Sequence, residues 1–365
     1  MVKIKDICID ISDGSHNPPK GIEHSEYMML SSKNIFDDKI TYAEPRYLTE
    51  DEFCVENKRT KISKGDVLMT IVGTVGRTAV VGENQRFTLQ RSVAVLRPNQ
   101  EICASRYLMY ALQGKRKYIE SEAKGVAQKG IYLGQVADLD IPLTDLDRQE
   151  KIVENLDCVK SIVDNRTKQI EELDNLIKSR FVEMFGNLVT GDKFVANKHK
   201  IGEIASVTKL AGFEFTKYIK YKEQGDIIML RGLNCKKGHL ILDDIKWIDK
   251  DTSDLLPRSK LYYGDILMTY AGTIGDVAMI DANDKYHLAP NVAKISLNDN
   301  ENYNPVFMIH LFMYSHDYIM TFASQVAQAS INMEKIRNFE YYFPPVELQK
   351  EFATFVTQVD KLKFV

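Results

Sequence analysis

Short apolar runs separated by polar, glycine-bearing stretches dominate most of this chain. Tyr27 to Leu30 and Ile227 to Leu230 are four-residue runs that suit buried strands, and each leads into a polar stretch holding an asparagine, Asn34 or Asn234. Val67 to Val72 and Ile266 to Ala271 predict further strands. Each is followed by a Gly-Thr-x-Gly turn (Gly73 to Gly76, Gly272 to Gly275) and another strand, Thr78 to Val81 or Val277 to Ile280. Glycines at both ends of such a turn supply positive φ for a tight reversal. Helical patterns then cover Arg106 to Tyr118 and Val306 to Phe322.

Between these two series the period changes. Apolar residues fall at Ile152, Leu156, Val159, Val163, Ile170, Leu173, Ile177 and Met184, in steps of four and three, with Arg166 and Arg180 on the two vacant positions. That is a heptad seam. Asp147 is placed to cap its start and Gly186 to stop it, giving about 39 residues or roughly 58 Å of helix. A second, shorter helix is expected after Phe343-Pro344-Pro345, with Phe352, Val356, Val359 and Leu362 on one face.

The two series are copies. KGDVLMTIVGTVG from Lys64 and YGDILMTYAGTIG from Tyr263 agree at eight of thirteen positions at an offset of 199. FTLQRSVAVL from Phe87 and YHLAPNVAKI from Tyr286 keep that offset, and Gln149 is echoed by Gln349. A period this long is a duplicated domain and not a solenoid repeat. The expected organisation is therefore two tandem α+β domains, each a mixed sheet plus helices, at 1–145 and 187–346. A central helix at 146–186 needs a partner helix, which a shortened helix at 347–365 supplies in part.

Composition narrows the class. No run of 18 apolar residues exists, so no membrane-spanning helix is expected. The start, MVKIKDICIDISDG, lacks the apolar core of a secretory signal. Five cysteines are scattered without a CxxC pair, which points away from a disulfide framework or zinc site and towards a reducing cytoplasm. The net charge of −3 argues against binding nucleic acid by bulk charge alone. Lys209 to Lys237 nevertheless holds seven basic residues against three acidic ones, and Gln113 to Gly130 five against two.

No catalytic constellation emerges. Asn17-Pro18-Pro19-Lys20 lacks the aromatic ring with which adenine methyltransferases stack a flipped base. Glu122-Ala123-Lys124 has nuclease-like spacing, but its counterpart Phe322-Ala323-Ser324 carries neither charge. There is no phosphate-binding GxxxxGK[ST] loop and no paired histidine spacing. Binding chemistry is better represented. The turns offer Thr74 and Thr273 with their backbone N–H groups, flanked by Thr70, Thr269 and, in the first copy only, Arg77. These are equally what a plain hairpin needs. Ser15, His16, Asn17 and Lys20 form a donor-rich loop that also reads as an ordinary capped turn. Side chains suited to base edges or phosphates include Lys33, Asn34, Gln90, Arg91, Gln128 and Lys129 in the first copy. Lys209, Arg231, Asn234, Lys236, Asn291, Gln328 and Asn332 serve in the second, and Tyr270 offers a ring that can stack or pack. The frame repeats while the loops differ, as in SHNPPKGIEHSEY against AGFEFTKYIKYKEQ. Two readers of two different sequences would show this, and so would relaxed duplication.

Taken along its whole length, the chain resembles the specificity subunits of type I restriction-modification systems. The resemblance rests on Ile11 to His16, the KGDVLMTIVGTVG segment and its copy, the Pro142, Leu146, Gln149 pattern before the long helix, and RFVEMFG ending at Gly186. It implies a non-catalytic subunit whose two target recognition domains each grip part of a bipartite double-stranded DNA site, with the two helices forming an antiparallel coiled coil that acts as a ruler. Two modification subunits would dock on it, bringing S-adenosylmethionine, and restriction subunits would bring ATP- and Mg-dependent chemistry. The second helix is shorter than the family pattern. Ile170 to Met184 is therefore expected to lack a partner, leaving Val163, Ile170, Leu173, Ile177 and Phe181 for subunit docking. The alternatives are the specificity chain of a BcgI-like type IIG system, a stand-alone enzyme, and an orphan DNA-binding decoy.

Overall fold

A computed structural model describes residues 1–83, 86–123, 130–324 and 329–363. The chain divides into two compact units, Met1–Asp164 and Asn165–Val365. The division falls inside the long helix and not at either of its ends.

Among the described residues each unit holds two main sheets beside two two-stranded ones. In the first unit, Cys8–Asp13, Val93–Pro98, Val67–Thr70 and Thr78–Val80 form an antiparallel sheet in that spatial order. Arg46–Leu48, Tyr27–Leu30 and Phe87–Leu89 form a second sheet, whose last pair is parallel. The second unit repeats both: Ala205–Lys209, Val292–Leu297, Ile266–Thr269 and Val277–Met279, then Lys246–Ile248, Ile227–Leu230 and Tyr286–Leu288. It adds one edge strand, Lys260–Leu261.

The antiparallel sheet is covered on both faces, and for that reason its central strands read as unbroken apolar runs. Val67 and Met69 point to a core shared with Leu108, Met109 and Leu112 of helix Ser105–Gly114. Leu68, between them, points to Leu30, Ile35, Phe87 and Leu89. Ile266 and Met268 against Leu267 repeat this alternation in the second unit. Each such burial is worth about 1.5–3 kcal/mol relative to exposure. The helical stretch after the sheet breaks at Lys115, giving Ser105–Gly114 and Arg116–Glu122 in place of one helix to Tyr118.

The long helix runs Leu146–Phe185, 40 residues. Its cap is Asp145 and not Asp147: the Asp145 carboxylate accepts the Arg148 N–H at 2.9 Å, which holds its pKa below the usual carboxylate range. Gly186 ends the helix at φ +64. Gln149 is fully buried. Its carbonyl oxygen accepts Ala104 N at 2.9 Å and its amide nitrogen donates to Ile102 O and Thr144 O, both at 2.8 Å. Arg106 adds ion pairs to Asp157 and to Asp38, which depress the Asp157 carboxyl.

The distal half of this helix is not bare. Ile177 and Phe181 are 2% and 3% exposed and belong to the second unit's core with Phe185. The terminal helix, Val346–Leu362, lies antiparallel along it. Phe352 meets Phe181, Arg180 reaches Glu351 at 3.2 Å, and Lys363 reaches Asp174 at 2.6 Å. Leu173 packs against the same core, half-buried. Leu156, Val159, Ile162, Val163 and Ile170 stay exposed in the earlier stretch, as do Leu176 and Val182 on the outer side of the distal half. Heptad spacing marks a seam but cannot say which stretch of it the chain itself covers.

Candidate nucleic-acid interface

Polar loops from separate parts of the first unit meet at one end of its antiparallel sheet. The loop after Asp13 is laid beside residues 89–91: Ser15 N donates to Leu89 O at 2.7 Å and Arg91 N to Ser15 O at 2.9 Å. Gly14 makes this approach possible, since a Cβ there would sit 2.1 Å from Leu89 O. Gln90 N donates to Leu30 O, Ser32 N to the Ser92 hydroxyl at 3.0 Å, and Ile71 N to Ser92 O. Gly73 opens the neighbouring turn at φ +84, and a Cβ there would stand 3.7 Å from the Ser32 hydroxyl.

The second unit gathers the corresponding loops at the corresponding end. Ala289 N donates to Leu230 O, Tyr270 N to Asn291 O at 3.0 Å, and Ile331 N to Tyr270 O at 2.8 Å. A short helix, Gly212–Tyr218, replaces the open loop of the first unit.

Several candidate side chains serve the frame and do not point outward. Asn34 is buried: its side-chain oxygen accepts Ser31 N and its nitrogen donates to Ala43 O. Asn234 does the same with Arg231 N, Ile241 O and Asp244 O. Both lack the free amide that pairing with adenine requires. Thr70 and Thr269 are fully buried, and their hydroxyls accept the N–H of Arg77 and Asp276, each at 2.9 Å. Ser15 is buried beside Gln90. Arg231 is spent on Asp244, and Asn332 caps helix Met333–Arg337 through Lys335 N. Arg77 lies over the Phe36 ring, and Lys236 is on the hairpin beside strand Val277–Met279.

His16, Asn17, Lys20, Lys33, Thr74 and Arg91 stay exposed in the first unit, as do Lys209, Thr273 and Asn291 in the second. Tyr270 is half-buried under the Lys209 ammonium, 5.5 Å from its ring centre. A polar cleft of about 510 Å³ in the first unit brings Lys20, Lys33 and Gln90 together with Arg46, a residue no local motif marks. Asp13 and Arg59 were also missed, because they meet across 46 positions. Gln128, Lys129 and Gln328 lie outside the described residues. Among the described residues no cluster of acidic, histidine or cysteine side chains could hold a metal ion, and no helix is long and apolar enough to cross a membrane.

One frame used twice, presenting unlike polar loops at the same sheet end, defines a sequence-recognition protein built by duplication. Residues 21–175 and 196–364 match the type I restriction modification DNA specificity domain, and the chain belongs to that family of DNA-recognition subunits. It is similar to the type I restriction enzyme MjaVIII specificity subunit of Methanocaldococcus jannaschii, with 22% identity over 84% of this chain and 75% of that protein. It is also similar to the EcoBI specificity subunit of Escherichia coli, with 24% identity over 79% and 66%. In fold it matches the type I restriction-modification S subunit of M. genitalium at a TM-score of 0.55 and 16% identity, covering 99% of this chain and 89% of that one.

Proposed function

We propose that this chain reads a bipartite duplex site, one part per unit, within a complex whose other subunits do the chemistry. The observation that carries this is the repeated gathering of dissimilar loops on an identical frame. Exposed His16, Asn17, Lys33 and Arg91 face one part, and Lys209, Thr273 and Asn291 the other. Base edges supply the sequence information and phosphate contacts set the register. Modification subunits carry S-adenosylmethionine and methylate adenine; restriction subunits carry ATP- and Mg-dependent cleavage, in the cytoplasm. Of the docking candidates, Val163 and Ile170 stay exposed, beside Leu156, Val159 and Ile162, and serve these partners, while Ile177 and Phe181 are buried in the second unit's core.

The test is the methylation pattern of DNA from cells carrying this chain and its modification subunit. Exchanging residues 13–24 and 89–92 for those of another member should change one part of a bipartite methylated motif and leave the other intact. Altered methylation of both parts together, or of neither in a complex that still methylates, would refute the one-unit, one-part reading.

A further inference from the structure

One buried carboxylate in the first unit gathers an exposed guanidinium and an exposed imidazole at the loop end. Asp13 closes strand Cys8–Asp13 with its side chain 9% exposed. One of its oxygens accepts Arg59, which also donates through Nε to the Asp13 carbonyl at 2.9 Å. The other lies 2.9 Å from His16 Nε2. Arg59 Nη2 and His16 Nε2 approach to 3.5 Å. Both side chains are about half exposed, at 52% and 53%. With Nε, Nη2 and Nε2 committed, Arg59 Nη1 and His16 Nδ1 have no partner among the described residues.

We infer that His16 and Arg59 form a clamp for one DNA phosphate, with Asp13 as the positioning residue that holds both. This rests on the DNA-recognition reading above and deepens it. A guanidinium fixed in orientation loses little entropy on meeting a phosphate oxygen. An imidazole whose Nε2 is anchored presents Nδ1 outward as a donor when protonated. The second unit supplies an independent indication. Ala94 pairs with Asp13, and the equivalent Ala293 pairs with Lys209. At the same place on the frame, one unit recruits the Arg59 guanidinium through a carboxylate and the other carries a lysine directly, itself seated on Tyr270. Opposite charges at one register position thus yield a cation at the loop end in both units.

A phosphate contact is independent of sequence, so a random-sequence 40-base-pair duplex is a sufficient probe. Binding to the full chain co-purified with its modification subunit is followed by fluorescence anisotropy over a range of KCl concentrations. Arg59→Ala and His16→Ala should weaken binding, and Arg59→Ala should make the slope of log K against log salt shallower by about 0.9, the value of one phosphate contact. Asp13→Asn is the discriminating variant. It removes a negative charge near DNA, so charge alone predicts equal or tighter binding, whereas the clamp predicts binding about fivefold weaker. Equal or tighter binding by a folded Asp13→Asn variant overturns the proposal. Should that variant fail to fold, His16→Ala on its exposed loop decides: unchanged affinity and slope overturn it. Failure of the unsubstituted complex to bind any duplex would overturn the recognition reading and this inference together. Wild-type binding with unaffected variants removes only the clamp.

Discussion

Phe352 meets Phe181 edge-on, with ring centroids 5.3 Å apart, and through this contact the terminal helix closes the core of the second unit. Phe185 and Phe307 complete the cluster, at 5.0 and 5.7 Å from Phe181. Edge-to-face pairs of this kind add roughly 0.5–1.5 kcal/mol to the area they bury. The long helix therefore belongs structurally to both units: its first turns pack Ile152 and Val153 on the first core, and its last turns enter the second.

Phe352→Ala should cost the second unit about 3–5 kcal/mol, the range for emptying a fully buried aromatic site. Hydrogen exchange of the helix Pro305–Tyr314 reads this directly. Faster exchange there, with unchanged protection of strand Val93–Pro98 in the first unit, is the expected pattern. Equal loss of protection in both units would contradict an effect confined to the second core.

Gln349 starts the terminal helix as Gln149 starts the long one. It accepts Asn304 N at 3.0 Å and donates to Pro344 O at 2.9 Å while almost wholly buried. Gln349→Leu keeps the apolar stem but orphans that N–H and that carbonyl, at about 1–3 kcal/mol each. Denaturation should show a clear loss of stability, and Gln149→Leu a comparable one. A neutral effect at both would mean water replaces these bonds at no cost.

His310 sets a pH limit on the second unit. Burial pushes its imidazole down to about 4 from the ordinary 6.5, although one edge lines a cleft near Asp174, Asp360, Lys363 and His239. Its Nδ1 lies 3.2 Å from the Tyr314 hydroxyl, and its ring stands edge-on to Phe352. Between those two values the unfolded chain binds a proton that the folded chain refuses. Stability is thus fully present above about pH 6.5 and falls as the pH drops towards 4, by up to ~1.4 kcal/mol per unit. His310→Gln should flatten the stability profile in this window. His287, also pushed down by burial, keeps a residual slope. An unchanged profile in the variant would place the proton uptake elsewhere.

Asn34 and Lys33 are neighbours with different duties, and their substitutions should separate. Asn34→Ala removes the bonds to Ser31 N and Ala43 O that shape the loop, so both specificity and stability should suffer, the latter by about 1–3 kcal/mol. Lys33→Ala should leave melting unchanged and weaken duplex binding evenly across sequences, as loss of a phosphate contact does. Loss of stability in Lys33→Ala, or none in Asn34→Ala, would reverse this assignment.

Much of the architecture was written in the local pattern. The duplicated KGDVLMT and YGDILMT segments specify both central strands, because apolar side chains on each face demand cover on each face. Gly73, Gly76, Gly272 and Gly275 all take the positive φ that a tight reversal requires. The heptad seam determined one long helix, and Gly186 its end. These features depend on neighbours a few residues away, so period and turn chemistry suffice to read them.

Tertiary structure alone decided which polar residues face outward and which apolar positions the chain covers. Asn34, Asn234, Thr70 and Thr269 look like ligands in the sequence, yet each satisfies backbone groups that folding would otherwise leave unpaired. Arg59 reaches Asp13 across 46 positions, and Phe352 reaches Phe181 across a whole domain. No local spacing encodes such meetings. They are fixed by the requirement that buried polar groups find partners and apolar faces leave water, and that requirement is met only when the whole chain has closed.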